Sequence, residues 1–561
     1  MILFGLAYSC DVLEPESSNV YDIDDVKSVV TYAEGVLIKA YRNIPTSHNN
    51  FNLSYASDDA VNNDQTSDIK TVVSGGWSSN MNPFSQWNTA YESILYINTF
   101  LEEMNEIEWY WKDQITSENF ANKLKGEAYA LRAWNYFHLL QAHAGMGVNG
   151  EMLGVPIVNK VLNINDKNEY QIHRSSFNEL VKFIIDDCDR AIDILPPRWK
   201  NTGNSRLDIA IGERNTNRIN GLVARLIKAK TILYAASPAY TDGTYTYEMA
   251  ALAAADIIDL NNGLDDVFTG DVEFYNNPDV PNLGNRHPEV FWYTSRQNNA
   301  NSWELSNFPP SLYGRGLTNP TQNLVNSFPN LDGTPVTNEK INSSNPYSNR
   351  DPRLEKFILF NGTKFTRGGS TVVINTTFGS QDALGSTDVL SSKTGYYLRK
   401  FMNVRNVNLD PRVNVGGMRY YTYARYTDAL LIFAEAANES VGPDTKLGNY
   451  TAKEVINAIR NRAGITSNDY VNSLNKEQMR NVIQNERRIE MCFEGQRFWD
   501  LRRWKEKAKI NEPVYGVQVS AEGDSFDYFE VEKRIYPAYQ IYGPIPYIET
   551  LKYDIIQNSG W

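Results

Sequence analysis

The segment Asn485 to Trp504, NERRIEMCFEGQRFWDLRRW, constrains the fold more than any other part of the chain, because it is dense in both charged and aromatic residues. Apolar side chains recur at helical spacing on both sides of Gly495, at Val482, Ile483, Ile489, Cys492, Phe493, Phe498, Leu501 and Trp504. This spacing predicts helical structure that breaks at Gly495, resumes after it, and covers an apolar core.

The charges of this segment also follow helical spacing. Glu494 precedes Arg497 by three positions, and Asp500 precedes Arg503 by three, a separation at which side chains meet on a helix surface. The spacing predicts a helix surface laced with ion pairs above an aromatic core. The same residues also suit a clamp for an anionic ligand, but their spacing does not require one. The segment is therefore interpreted as a determinant of fold.

The overall charge excludes one class of partner. The 561 residues carry a formal net charge of −13, with a pI near 5.1. An acidic surface repels nucleic-acid phosphates unless basic residues concentrate in one place. The arginines between Arg487 and Arg503 alternate with acidic residues, so the sequence predicts no nucleic-acid partner. Aromatic residues make up 12% of the chain and supply both core area and flat surfaces for ligands.

The three cysteines have two different predicted roles. Cys188 and Cys492 continue apolar stripes and are expected to be buried. Cys10 ends the run MILFGLAYSC, which is typical of a secretory signal peptide that precedes a lipid-modified cysteine. We therefore expect residues 1–9 to be a signal-peptide remnant and residues 10–20 to be the lipidated cysteine with an acidic tether. The alternative is a buried N-terminal strand. No apolar run has the ~18 residues that a membrane span requires, so lipid alone is the predicted anchor.

Helical periodicity dominates the first part of the chain and returns after Arg425. Three predicted helix pairs are Trp87 to Met104 with Phe120 to His143, Ser175 to Leu195 with Arg218 to Ala236, and Thr427 to Asn438 with Thr451 to Ala463. Ser176 with Glu179, and Thr451 with Glu454, have the spacing of a capping box. Paired helices with alanines at their contacts are typical of tetratricopeptide-type solenoids, although no clean repeat of ~34 residues is visible.

The region between Asp265 and Tyr423 has a different pattern. Short β-rich runs alternate there with clusters of Asn, Gly, Ser and Pro, and these runs are VFWYTS, KFILF, TVVIN, YYLRKFM and RYYTYA. The predicted fold class is therefore mostly α with minor β, in which loops and short strands are mounted on a helical scaffold. Long irregular connections tend to carry function, so Gln297 to Gly316 and Phe328 to Arg350 are the first candidates.

Two motifs that carry chemistry elsewhere fail in their context here. Gly145, Gly147 and Gly150 match G-x-G-x-x-G, but they follow a predicted helix rather than a strand, which favours a helix stop over a nucleotide site. His138 and His143 are five residues apart rather than the four that align two imidazoles on one helix face, so they are interpreted as structural. None of the serine-nucleophile motifs occurs.

Metal and catalytic sites are only weakly indicated. Asp259, Asn261 and Gly263 resemble the start of a calcium loop, but the ligand pattern beyond them fails, so a surface turn is favoured while a structural calcium stays open. No other metal and no cofactor is predicted. Glycosidases need only two carboxylates at the right separation in space, which the sequence neither identifies nor excludes.

The Asn485 to Trp504 segment resembles the signature near the C-terminus of SusD/RagB-type proteins. Four more stretches resemble this family in its usual order, namely Leu131 to Val158, Arg425 to Glu439, Val455 to Ile465 and Ile541 to Trp561. The resemblance implies one SusD-like domain over residues 21–561, with a scaffold of four helix pairs. That scaffold would lie mainly at 21–260 and 425–505, and the loop and short-strand ligand-binding region mainly at 265–425.

The family also implies a function. Its members are surface lipoproteins of Bacteroidetes that capture nutrients for a TonB-dependent transporter. We therefore expect a protein without catalytic activity on the outer membrane, exposed at the cell surface, that binds an oligo- or polysaccharide and delivers it to a SusC-like transporter. The alternatives are a peptide-binding member of the same family, a secreted glycosidase, and a helical-repeat scaffold that recruits another protein.

Aromatic residues in polar loops are the candidate ligand contacts, because core packing explains them least. Trp77 and Asn80 lie in a Gly- and Ser-rich run, and Trp303, Phe308 and Tyr313 lie in an Asn-rich loop after VFWYTS. Glycan-binding family members resemble this arrangement, in which an arc of aromatic rings comes from these two regions. We predict that these five residues bind ligand, and the Asn-rich loop favours sugar over peptide.

Overall fold

A computed structural model describes residues 23–44, 51–104, 107–110, 112–163, 165–265, 267, 272–276, 287–337, 345–385, 390–465 and 467–561. The predicted signal-peptide remnant, the lipidated Cys10 and its tether lie outside these residues. In the part that is described, no helix is both long enough and apolar enough to cross a membrane.

Helices form the scaffold. In chain order they are α1 (Ile23–Ser28), α2 (Val30–Arg42), α3 (Asn52–Tyr55), α4 (Asp68–Thr71), α5 (Trp87–Glu103), α6 (Gln114–His143), α7 (Lys167–Tyr170), α8 (Phe177–Ile194), α9 (Ser205–Ile211), α10 (Gly221–Ala236), α11 (Tyr247–Leu260), α12 (Ser302–Asn307), α13 (Gln322–Ser327), α14 (Arg353–Phe357), α15 (Tyr426–Val441), α16 (Ala452–Ala463), α17 (Asp469–Asn472), α18 (Lys476–Glu490), α19 (Gln496–Arg503), α20 (Lys507–Ile510) and α21 (Tyr547–Lys552). The members of each predicted pair pack against each other, so the three pairs are confirmed.

Local capping explains where these helices begin and end. The predicted capping boxes at Ser176 and Thr451 are both formed, and Gly464 ends α16 in a left-handed conformation. Helix α6 begins earlier than the apolar pattern predicts, because the Asp113 carboxylate accepts the backbone N–H groups of Ile115 and Thr116. Capping residues therefore set helix ends that hydrophobic spacing alone leaves open.

The scaffold is an array in which each long helix packs on the next. Helix α5 contacts α6, α6 contacts α8, α8 contacts α10, α10 contacts α11, and α11 contacts α15. Ala254 in α11 and Ala436 in α15 are fully buried, and such small side chains let helix backbones approach closely. The contact of α11 with α15 closes the array across the strand-rich region, which is inserted between them in the sequence.

Most of the charges between Glu486 and Arg503 are buried, and this corrects the predicted helix surface. Glu494 accepts hydrogen bonds from Lys400 and Arg425, both at 2.8 Å, instead of pairing with Arg497. Gly495 has a φ of 72° and turns the chain between Glu494 and α19, so i,i+3 geometry does not apply across it. The predicted pair of Asp500 and Arg503 is present at 2.8 Å. The predicted break at Gly495 is confirmed.

Within the described residues, strands are short and pair in seven two-stranded antiparallel ladders. They are β1 (Ala60–Asn62), β2 (Gly145–Met146), β3 (Met152–Leu153), β4 (Val290–Tyr293), β5 (Gln297–Ala300), β6 (Thr318–Pro320), β7 (Ile358–Leu359), β8 (Lys364–Arg367), β9 (Ser370–Val373), β10 (Tyr397–Leu398), β11 (Gly417–Arg419), β12 (Thr422–Arg425), β13 (Val514–Val519) and β14 (Phe526–Glu532). The run KFILF is partly helical, because its first two residues belong to α14. The predicted fold class, mostly α with minor β, is confirmed.

The ladder of β4 and β12 joins the strand-rich region to the helices. Every residue of β4 is buried, and β12 continues directly into α15 at Tyr426. Arg425, at this junction, bonds Glu289 at 2.7 Å and Glu494 at 2.8 Å. Loops that follow β4 or precede β12 therefore start from a fixed base.

Candidate ligand-binding site

Trp77 is a core residue, so the prediction that it forms an exposed stacking surface is wrong. Only 3% of it is exposed, and its ring meets Phe84, Phe498 and Trp561 at centroid distances of 5.3, 5.8 and 4.8 Å. Its indole N–H donates to Asn82 at 3.1 Å. The Gly and Ser residues before it form a turn that directs the ring inwards, whereas their composition suggested an open loop.

The other predicted residue of this region has a different environment. Asn80 is exposed, and the carbonyl of its neighbour Ser79 accepts the backbone N–H of Tyr547 at 3.1 Å. Asn80 thus lies beside α21, and its role in ligand binding stays a prediction. The Trp77 cluster and the Trp303 loop contact different aromatic rings, so the structure does not join them in one ring cluster.

Phe308 is also a core residue, which corrects its predicted role. Its side chain is fully buried, and the Arg367 guanidinium lies 5.2 Å from the ring centroid. The backbone of Gly314 approaches Phe308 so closely that a Cβ on that glycine would lie 2.1 Å from the Phe308 carbonyl oxygen. This tight turn holds Phe308 inside and places Tyr313 outside.

Trp303 is half-buried and firmly held in α12. Its ring contacts Phe51, Phe401 and Tyr421 at centroid distances of 5.5, 5.9 and 4.9 Å. The Arg419 guanidinium lies over the ring, 4.6 Å from its centroid, and this contact is a cation–π interaction. Trp303 therefore presents a partial, rigid aromatic surface.

A buried ion pair fixes the position of Trp303. Glu304 is fully buried and accepts hydrogen bonds from Arg419 at 2.5 Å and from the backbone N–H of Asn403 at 2.8 Å. The same guanidinium therefore bonds Glu304 and covers the neighbouring Trp303. Because Arg419 lies on β11 and Glu304 on α12, the pair locks the helix onto the ladder.

Tyr313 is the most exposed aromatic residue of the predicted site. It is 49% exposed and has a φ of 64°, a left-handed conformation. Its hydroxyl lies 3.4 Å from Asp410. Arg412 binds that carboxylate through Nε at 3.0 Å and Nη2 at 2.6 Å. The Arg412 side chain and the Arg412 backbone N–H lower the pKa of Asp410 to about 2, so this pair stays ionised and mutually neutralised at neutral pH.

Hydrogen bonds of asparagine side chains connect the surface around Trp303 with the surface around Tyr313. The Asn299 amide oxygen accepts the Gly416 backbone N–H at 3.0 Å, and the Asn301 amide donates to Asn414 at 3.2 Å. Asn414 follows the Asp410 turn, where its backbone N–H bonds the Asp410 carbonyl at 2.8 Å. The residues Asn299, Asn301, Trp303, Tyr313, Asp410, Arg412, Asn414 and Tyr421 thus form one surface, named the asparagine face here.

The asparagine face combines aromatic rings with groups that both donate and accept hydrogen bonds. Amides carry two donors and an acceptor, and the Arg412 guanidinium, with its side chain 83% exposed, adds donors. Burial raises the pKa of Tyr421, so its phenol remains protonated. Behind Trp303 the structure has a cavity of only about 10 Å³. The face therefore suits a ligand that lies across it rather than one that enters a deep pocket.

Half of this face lies outside the loops that the sequence pattern favours as ligand contacts. Asp410, Arg412, Asn414 and Tyr421 all precede β12, in a region for which the pattern predicts only loops and short strands. The signal that points to them is the pairing of β11 with β5, in which Gly417 lies opposite Ala300. The sequence does not specify that pairing, because both strands are short and irregular.

The other chemical motifs have structural roles. His143 accepts the Gln86 backbone N–H at 3.1 Å and contacts the Pro544 carbonyl oxygen at 2.7 Å, and burial lowers its pKa to about 4. Gly145 lies in the β2–β3 hairpin that follows α6. The Asp259 carboxylate accepts the Tyr450 hydroxyl at 2.6 Å. Among the described residues, no group of His, Cys, Asp and Glu is arranged to hold a metal ion.

Proteins of known sequence and structure resemble this chain over nearly its whole length. SusD-like protein P38 of Formosa agariphila is 24% identical over 552 residues, which cover 92% of each chain. A SusD-like protein of Bacteroides fragilis superimposes with a TM-score of 0.74 at 23% identity, covering 96% of this chain and 99% of that one. A SusD-like carbohydrate-binding protein of the same species gives a TM-score of 0.70 at 22% identity, with 94% and 98% covered. The architecture of helix array and inserted strand-rich region is therefore the one that these proteins share.

Two family sequence models match separate parts of the chain. Residues 10–208 match the one described as "Starch-binding associating with outer membrane". Residues 276–561, more than half of the chain, match the one described as "SusD family", and this range contains the buried charges of α18 and α19 as well as the asparagine face. The chain therefore belongs to the SusD family.

Proposed function

We propose that the protein captures an oligo- or polysaccharide on the asparagine face at the cell surface and delivers it, uncleaved, to a SusC-like TonB-dependent transporter. One observation carries the choice of site. Tyr313 exposes 49% of its surface while its backbone is held at a φ of 64°. This conformation costs a residue with a side chain about 1–2 kcal/mol, and such strain concentrates at functional sites.

The chemistry of the face favours a neutral, hydroxyl-rich ligand. Asp410 and Arg412 neutralise each other, and Glu304 does the same for Arg419 beside Trp303. What remains are aromatic rings, which pack on the C–H surfaces of a sugar ring, and amides, which bond hydroxyl groups in both directions. A charged ligand would find no uncompensated partner among these residues.

The names of related proteins agree with this ligand class. One structural relative from Bacteroides fragilis is called a SusD-like carbohydrate-binding protein, and the family matched by residues 10–208 is described as starch-binding and associating with the outer membrane. In the proposed role, the lipid on Cys10 anchors the protein and the partner transporter moves the ligand across the membrane.

The ligand is tested by affinity electrophoresis against a panel of polysaccharides and peptides, using soluble protein that begins after Cys10. Tyr313→Gly removes the ring and relieves the backbone strain, so it is expected to keep or raise the urea midpoint of unfolding. Retention by the recognised polysaccharide is expected to weaken about five- to tenfold, roughly 1–1.5 kcal/mol for one stacking contact. The matched control is Tyr547→Ala, because Tyr547 is 48% exposed on α21, and it should retain full binding.

Three results contradict parts of the proposal. Equal retention of both variants would remove the asparagine face as the site, and retention of peptides alone would change the ligand class. Release of reducing ends from the bound polysaccharide would show catalysis. For the anchor and the partner, mass spectrometry of the native N-terminal peptide should show lipid on Cys10, and the native protein should copurify from outer membranes with a TonB-dependent barrel. An unmodified Cys10 thiol or a protein that purifies alone counts against delivery.

A further inference from the structure

A separate cleft lies at the far end of the helix array. It has a volume of about 310 Å³ and lies where the start of α11, the end of α15, α18 and the turn after α19 meet. Among its lining residues are Glu435, Glu439, Arg480, Gln484, Trp504 and Glu506. None of these belongs to the asparagine face. Ligand pockets in proteins begin at about 300 Å³ and combine aromatic walls with a few placed polar groups, and this cleft has both.

The charges that line the cleft are largely compensated within the protein. Glu435 accepts two hydrogen bonds from Arg503, at 2.5 and 2.7 Å, and a third from the Trp504 indole at 2.7 Å. Glu439 accepts two from Arg480, at 2.7 and 2.5 Å. Glu506 lies 3.6 Å from Lys509. The cleft therefore does not require a charged ligand to compensate the charges that line it.

Gln484 is the lining residue that the protein itself leaves unsatisfied. It is 8% exposed, yet its side-chain amide has no hydrogen bond to any of the described residues. Gln322 is a useful contrast, because it is 7% exposed and its amide bonds both Asn326, at 2.7 Å, and Tyr396, at 2.5 Å. Most of the Gln484 side chain is buried, but its amide atoms still reach the open cleft. A ligand there can therefore take up their free donors and acceptor.

Trp504 forms the aromatic wall next to this amide, and its position is fixed. Its indole N–H bonds Glu435, and the Arg503 guanidinium lies 4.7 Å from the ring centroid. A turn then ends α19, in which the backbone N–H of Lys505 bonds Arg502 at 3.0 Å and that of Glu506 bonds Leu501 at 2.9 Å. This is the Schellman arrangement, and it places Trp504 and Glu506 together at the edge of the cleft.

We propose that this cleft is a second carbohydrate-binding site, which takes one neutral sugar residue between the Trp504 ring and the Gln484 amide. Arg480, whose side chain is 42% exposed, adds further donors, and Glu506 adds an acceptor. The sugar's C–H surface packs on the indole, and its hydroxyls bond the amide and the charged groups. The inference goes beyond the asparagine face and shares with the proposed function only the class of ligand. Two sites on one molecule would raise the avidity for a polymer without any new contact.

The probes are methyl glycosides of glucose, galactose, mannose and xylose, observed by saturation-transfer NMR. All measurements use the Tyr313→Gly protein, so that the asparagine face contributes little signal. At least one glycoside is expected to receive saturation from this protein. Gln484→Leu should reduce that signal at least fivefold and leave the urea midpoint unchanged or higher, since no protein hydrogen bond is lost.

Gln322→Leu is the matched control and should do the opposite, lowering the urea midpoint while the glycoside signal remains. Absence of saturation transfer to every glycoside, or a signal that Gln484→Leu leaves unchanged, would overturn the second site. The two proposals fail separately. If Tyr313→Gly loses polysaccharide retention and no glycoside gives a signal, only the asparagine face is supported. If a glycoside signal depends on Gln484 while Tyr313→Gly still retains polysaccharide, only the cleft is supported.

Discussion

Removing one charge from a buried four-residue cluster should destabilise the fold strongly, and removing its partner as well should restore much of the loss. Asp58 accepts two hydrogen bonds from Arg497, at 2.8 and 2.9 Å, and lies 3.0 Å from Arg488. Arg488 also bonds Asp59 at 2.8 Å. Burial alone would raise the pKa of Asp58, but Arg488 and Arg497 outweigh it and hold that pKa below its ordinary range. Burial raises the pKa of Asp59, and the Arg488 guanidinium opposes that shift. With both carboxylates ionised, the cluster holds two negative and two positive charges.

The magnitude follows from counting charges. Asp58→Asn leaves two guanidiniums with one carboxylate, and Arg497→Met leaves two carboxylates with one guanidinium. Each variant therefore buries one uncompensated charge, which costs about 3–5 kcal/mol of the free energy of unfolding. The double variant keeps Asp59 with Arg488 and is neutral again. We expect it to be at least about 2 kcal/mol more stable than the sum of the two single losses predicts.

The assay is urea denaturation at pH 7 of the wild type, both single variants and the double variant. Asp186→Asn is the matched control, because Asp186 bonds Lys182 at 2.6 Å in an exposed i,i+4 pair whose side chains are 41% and 68% exposed. It should cost less than about 0.5 kcal/mol. Additive losses in the double variant, or a loss below about 1 kcal/mol for Asp58→Asn, would refute the charge-balance argument.

Three further predictions concern single residues. Burial raises the pKa of Asp428, but Lys230 and Arg487 outweigh it and set that pKa at about 2. The stability that Asp428 contributes is therefore present above pH ~5 and is lost as the pH falls towards 2, by roughly 2–3 kcal/mol. In urea unfolding, the free energy of unfolding of Asp428→Asn should differ less between pH 5 and pH 2 than that of the wild type. Lys505 has a φ of 59°, so Lys505→Val should lower the urea-derived stability by roughly 1–2 kcal/mol and Lys505→Gly should not. Trp77→Ala should lower the free energy of unfolding by about 3–5 kcal/mol in the same assay, while the folded fraction retains polysaccharide as the wild type does. Weakened retention would indicate that Trp77 contributes to ligand binding after all.

The helical scaffold was predictable because its signals are local. The apolar stripe of α8 and the capping box at Ser176 lie within one segment, and a helix needs no distant partner to define its period. The same holds for α16, where Thr451 starts the helix and Gly464 stops it. The predicted burial of Cys188 and Cys492 also follows from these stripes and is confirmed.

The partners of the buried charges were not predictable, since they are far apart in sequence. Arg497 bonds Asp58 across 439 positions, whereas the predicted partner Glu494 lies three positions away. Helical spacing identifies neighbours only within a continuous helix, and Gly495 interrupts it. A dense run of arginines and carboxylates therefore indicates that charges will be paired, but not with which residues.

The candidate site was predicted only in part, and the reason is the same for each miss. Trp77 and Trp303 both lie in polar stretches of sequence, yet one is buried and the other is half-buried in α12, because composition does not say which way the local backbone directs a side chain. Phe308 and Tyr313 are separated by a single tight turn and end on opposite sides of it. The residues contributed by the β5–β11 ladder depend on a strand pairing that no local pattern specifies.

The buried charges and the asparagine face are nonetheless parts of one arrangement. Arg425 bonds Glu494, in the middle of the charged segment Asn485 to Trp504, and Glu289, just before β4, and β4 pairs with β12. Tyr421, against which Trp303 packs, immediately precedes β12. A rigid base is what an aromatic surface needs in order to bind without losing conformational freedom. The charged signature that identifies the fold therefore also fixes the base on which the loops of the asparagine face are mounted, although the described residues place none of its side chains on that face.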